Sequence, residues 1–191
     1  MYPKLVVGGV CGLAWATGLR GLMAQVAGQE STVSWIFTFG FILMPGVVVG
    51  VLLGWAEHLR TTGGRRGWRW LALSPFLFAL FNPAALAVAL LGTAGGYAVS
   101  RRGPLWARIA SGLFAVAIIP LWSVIATAVG GPRLALDTPR GAWIAVYLYS
   151  FLAVLALACA IPHRPVVAVP ERPTPETAEV LSLERGALPS E

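Results

Sequence analysis

Apolar residues run in blocks too long for a soluble core to absorb. Leu5–Ala27, Val33–Ala56, Trp70–Ser100, Leu105–Val129 and Ala142–Ile161 each reach the roughly 20 residues that a helix needs to cross hydrocarbon. Inside a bilayer every backbone N–H and C=O must find its partner within the spanning structure, which leaves α-helices or closed barrels. A barrel strand alternates apolar and polar residues over about ten positions, and these blocks do not alternate. The expected fold class is therefore all-α, a polytopic transmembrane helical bundle. Composition agrees, with 57% hydrophobic and only 12% charged residues.

The longest block decides how many crossings to expect. Trp70–Ser100 as one helix would measure about 45 Å against a hydrocarbon thickness of about 30 Å. It contains Phe81-Asn82-Pro83, and Asn-Pro is a strong helix breaker. Splitting there yields a short 68–81 and a longer 83–100. Charge decides between one crossing and two. A single crossing would place the Arg60–Arg69 loop and the Arg101/Arg102/Arg108 loop on opposite faces, whereas a hairpin puts both on one face with Lys4 and Arg164. Lys and Arg concentrate in short cytoplasmic loops, so the hairpin is preferred, with Trp68, Trp70 and Trp106 at the interface. The reading is about six spans in three hairpins (5–27, 33–56, 68–81, 83–100, 105–129, 142–161), both termini on the cytoplasmic side of the inner (plasma) membrane. A five-span arrangement, or a re-entrant 68–81, is the alternative. Residues 1–162 form the transmembrane domain. The tail 163–191 is too rich in Pro and Glu to bury a core and is expected to be disordered.

The net charge of +6 does not indicate nucleic acid. Residues 1–162 carry eleven Lys/Arg against Glu30, Glu57 and Asp137, while the tail carries three Arg against five Glu. The excess lies in short loops, as membrane orientation requires, and not on a long basic face. Lys4 before an apolar run, with Ala14–Ala16 as A-x-A, mimics a secretory signal. The run continues to Ala27, so an uncleaved first span is preferred. Cys11 and Cys159 sit inside apolar segments and read as small buried hydrophobes. With no CxxC and no nearby His, no metal site and no cofactor are expected.

Two features stand out within the spans. Gly46, Gly50 and Gly54 recur every fourth residue, and Gly8, Gly12 and Ala16 form a matching ridge on the first span. Small residues at this spacing let helix backbones approach closely. Packing of spans one and two is the simpler reading; oligomerisation or a glycine-lined pore is the other. Gly92 and Gly96 are a weaker version. Arg20 continues the first ridge into the outer leaflet. Burying it at mid-membrane would cost about 2.5–3.5 kcal/mol, less near the interface. It either snorkels outward or pairs with Glu30, serves as a cationic anchor for an anion or lipid headgroup, or belongs to an internal structural network. Thr38 and Asn82 are its expected partners in that site; Gln25 and Glu30 lie above it on the same hairpin, Ser34 falls at a depth similar to Thr38, and Thr127 and Tyr147 lie in the outer portions of spans five and six. Ser and Thr also commonly bond their own helix backbone.

Little points to catalysis. Glu57 and His58 are sequence neighbours and so face different sides of a helix. No nucleophile elbow, zinc motif, Walker loop or dinucleotide fingerprint is present, so no enzymatic activity is expected. The stretch GVLLGWAEHLRTTGGRRGWRWLALSPFLF (Gly50–Phe78), with GLRGLMAQVAG upstream, resembles small actinobacterial multi-pass integral membrane proteins of unassigned function. One Lys against thirteen Arg suits a high-GC genome. The resemblance implies a membrane location and a multi-pass architecture, and it brings no functional residue with it. The functional expectation is a protein that binds or passes a small anionic or amphipathic ligand. The alternative is an accessory or scaffold subunit of a membrane complex. Membrane lipids are the expected partners, with a homo-oligomer or a membrane protein partner as a further expectation.

Overall fold

A computed structural model describes residues 2–63, 67–80 and 83–166. The described chain is all-helical. It comprises α1 (Tyr2–Ala27), a π-helical segment (Trp35–Leu43) running into α2 (Met44–Thr61), a 3₁₀ segment (Trp68–Leu80), α3 (Pro83–Val99), α4 (Leu105–Val116), α5 (Ile118–Gly130) and α6 (Pro139–Cys159), with short 3₁₀ turns between. By length and composition four helical stretches can cross a membrane: Pro3–Ala27, Trp35–Thr61, Leu105–Trp122 and Pro139–His163. Trp68–Leu80 and Ala85–Val99 are shorter apolar helices. Most of the tail expected to be disordered lies outside the described residues.

Prolines account for where the helices change character. Pro45 has no N–H for an i−4 bond, and its ring crowds the carbonyl four residues earlier. The preceding turns widen, and the Met44 N–H bonds the Phe39 carbonyl five residues back. Likewise Pro120 has no N–H to offer Val116. The expected 105–129 helix therefore breaks at Ala117, whose N–H bonds Phe114 instead. The 68–81 stretch also differs from a plain α-helix. It is a 13-residue 3₁₀ segment containing Pro75, longer than such runs usually are.

α1 and α2 run antiparallel with their backbones close together. A Cβ at Gly50 would lie 2.9 Å from the Gly12 Cα, and one at Gly54 would lie 3.3 Å from the Gly8 Cα. Gly12 likewise faces Gly46, and Lys4 faces Gly54. A second close contact joins α3 to α6, where a Cβ at Gly96 would come within 2.6 Å of the Cys159 Cβ and one at Gly95 within 2.8 Å of the Ala156 Cβ. The 3₁₀ segment packs on both α2 and α3.

Two ends of the bundle can be told apart by contacts. At one, Lys4 Nζ donates to Thr61 Oγ1 at 2.5 Å, the Tyr97 ring meets His163 edge-on at 5.6 Å, and Trp68 and His163 line one cleft. The Arg60–Arg69 and Arg101/Arg102 loops therefore lie at this end with the N-terminus of α1. At the other end the loop before α6 folds over α1. Leu134 is fully buried there, in a cluster with Leu19, Leu22 and Ile144.

Candidate functional site

The sequence points first to Arg20. Its Nη1 donates to Ser31 Oγ at 3.0 Å and its Nη2 to the Thr32 carbonyl at 2.6 Å. Both partners belong to the connection that immediately follows α1, so the guanidinium ties down its own hairpin. Glu30 does not take it: among the described residues the only ion pair joins Arg60 to Glu57. Thr38 is buried, and its hydroxyl accepts from the Ser34 N–H at 3.3 Å, while Ser34 Oγ accepts from the Phe37 N–H at 3.1 Å. This reciprocal arrangement caps the π-helical segment much as a capping box caps an α-helix. No hydrogen bond joins Arg20 to Thr38 among the described residues, and Asn82 lies outside them. Of the other polar groups at that depth, Tyr147 donates to the Gly18 carbonyl at 3.0 Å and Thr127 to its own helix at Val124.

Two arginines that sequence reasoning passed over have clear structural roles. Arg133 Nη2 donates to the Val26 carbonyl at 2.8 Å and Arg140 Nη2 to the Gln25 carbonyl at 2.8 Å. The last carbonyls of a helix have no partners within it and carry its negative dipole end, so cations there are favourable. The signal was present in Pro-Arg-Leu and Thr-Pro-Arg after a Gly-Gly turn, but nothing local says which helix end they meet. Gly28, at φ +68, ends α1; a Cβ there would sit 2.8 Å from Arg133 Nη1.

The space for a ligand lies elsewhere. A cavity of about 510 Å³ opens between α1, α2, the 3₁₀ segment and α6, within the usual range of about 300–1,000 Å³ for ligand pockets. Its walls include Cys11, Trp15, Val49, Phe78 and Leu155, with the α1–α2 glycines along one side. Trp15 anchors the wall by donating Nε1 to the Phe151 carbonyl at 3.2 Å and packing on Phe78 and Phe151. Among the described residues, Lys4 and Glu57 are the only charged groups on the lining, and both sit at the end where α1 begins. Glu57 holds Arg60 in a two-point ion pair at 2.7 and 2.8 Å. Cys11 is exposed and Cys159 buried, both as free thiols. Among the described residues no group of three or more His, Cys, Asp or Glu is placed to hold a metal. Such a cavity sorts a molecule by polarity along its length, taking an apolar chain within and a charged group at one mouth.

Compared with family models, curated proteins and solved structures, the chain matches none. The functional reading therefore rests on the geometry alone.

Proposed function

We infer that this is a non-enzymatic protein of the inner membrane that holds one amphipathic, lipid-class molecule, its apolar chain in the cavity between α1, α2 and α6. The observation that carries this reading is the polarity of the lining: apolar from Trp15 to Val7, with Lys4 and the Glu57–Arg60 pair gathered at one end. Such a lining matches a molecule with one charged end. The proposal thus moves the ligand from the Arg20 end, where the guanidinium is already bonded within its hairpin, to the opposite end.

Six crossings with both termini cytoplasmic remain our proposed topology. The 3₁₀ geometry supports it: thirteen residues at about 2.0 Å each reach about 26 Å. The α-helix Pro83–Val99, with 17 residues, reaches about 25 Å. Both approach the hydrocarbon thickness of about 30 Å. The clustering of Lys4, Arg60, Arg69, Arg101, Arg102 and Arg108 at one end agrees with a cytoplasmic face there.

The test is occupancy. Purified in mild detergent and examined by native mass spectrometry, the chain should retain about one lipid, and Ala158→Trp, which fills the cavity, should release it. In a Cys159→Ser background, maleimide should label Cys11 faster after delipidation. No retained lipid, with Cys11 equally reactive in both states, would overturn the reading. A second reading, an accessory subunit, is favoured by α4, which buries no residue within the chain. It predicts crosslinking to another membrane protein from a photoreactive residue at Ile109 or Leu113.

A further inference from the structure

A cleft of about 620 Å³ lies at the same end of the bundle, between the start of the 3₁₀ segment and the turn after α6, lined by Trp68, Arg69, Trp70, Leu73 and His163. Arg102 does not itself line the cleft but comes from the α3–α4 loop, whose next residue, Gly103, lies against the Tyr97 hydroxyl, and the Tyr97 ring in turn meets His163. Neither guanidinium has a hydrogen-bond or ion-pair partner among the described residues, and the same holds for Arg101 and Arg164, whereas Arg20, Arg60, Arg108, Arg133 and Arg140 each have one. No described carboxylate is available to them. Glu57 is bonded to Arg60, and Glu30 and Asp137 belong to the loops at the opposite end. The imidazole is oriented by the edge of Tyr97. Trp70, 74% exposed, stands beside the cations with Leu73. An indole next to arginines is the chemistry of a membrane interface, where the ring sits at headgroup level and the cations face phosphate.

We propose that this cleft is a phosphate site for an anionic lipid headgroup, with Arg69 and Arg102 binding the phosphate oxygens and Trp70 and Leu73 meeting the glycerol and upper acyl region. Guanidinium suits the task because its planar fork donates two parallel hydrogen bonds to one phosphate. The site is independent of the larger cavity: Ala158→Trp should leave it unaffected.

The experiment compares the full chain in nanodiscs made of phosphatidylcholine with a minority of phosphatidylglycerol, reading lipid retained after extraction. Phosphatidylglycerol should be enriched over phosphatidylcholine. Arg69→Gln and Arg102→Gln should each lower that enrichment about five-fold, the scale of one lost hydrogen bond to the phosphate. Arg101→Gln, which removes the same charge one residue away, should change it little. Arg69 and Arg102 are both exposed, and Arg69→Lys serves as a folded variant that keeps the charge and loses the fork. Delipidated protein is titrated in parallel with inorganic phosphate. Saturable phosphate binding lost in Arg69→Gln, without phosphatidylglycerol enrichment, assigns the same site to free phosphate. Equal losses in Arg101→Gln and Arg102→Gln, or no preference for phosphatidylglycerol and no phosphate binding, would overturn the proposal.

Discussion

A methyl group at Gly50 would meet the Gly8 carbonyl and come within 3.0 Å of the Gly12 nitrogen, all backbone atoms that cannot rotate aside. The same methyl at Gly40 would meet nothing within 4 Å. Gly50→Ala should therefore force α1 and α2 apart at a cost of about 1–3 kcal/mol. Gly40→Ala should be neutral, or stabilising by up to about 1 kcal/mol through helix propensity. Unfolding in detergent, followed by circular dichroism, distinguishes the two; equal effects would mean that the close approach at Gly50 contributes nothing. The four-residue spacing of Gly46, Gly50 and Gly54 was visible in the chain. Arg20 was visible too, but its partners were not. An arginine side chain reaches several residues along a helix in either direction, and only the course of the Gly28–Ser34 connection brings the Ser31 hydroxyl and the Thr32 carbonyl to it.

Among the elements, α1 depends on groups more than a hundred residues away. Arg133 and Arg140 bond its last carbonyls at Val26 and Gln25, and each such bond contributes about 0.5–1.5 kcal/mol, somewhat more for a charged donor. The double variant Arg133→Met/Arg140→Met should loosen the final turn of α1 without unfolding the bundle. Hydrogen exchange at the Met23–Ala27 amides should then quicken while exchange at Ala16–Leu19 stays unchanged. Unchanged exchange at both would show that water caps the carbonyls equally well. The positions of the prolines were legible from the start, but the responses to them were not. A proline removes one hydrogen bond, and whether the helix then widens (as before Pro45), breaks (as at Ala117) or tightens (as around Pro75) depends on what packs beside it.

Across the whole molecule, the contacts of His163 with Tyr97 and with the cleft at Trp68 gather the loops after α2 and α3 at one end. Cysteines at Thr62 and Pro104, both exposed, should react with an impermeant maleimide from the same side of the membrane, and one at Leu136 from the other, in a Cys11→Ser background. Labelling of Thr62→Cys and Pro104→Cys from opposite sides would rule out the six-crossing topology. Long apolar runs dictated helices long and apolar enough to cross a bilayer, where unpaired backbone is intolerable, and Lys and Arg in the loops are the basis of the proposed orientation. Those are one-dimensional quantities, legible along the chain. The direction in which each side chain points around its helix is set by packing between segments far apart in sequence. Hence the cavity beside Cys11 and Trp15, the capped end of α1 and the cations near His163 emerged only once the helices were assembled.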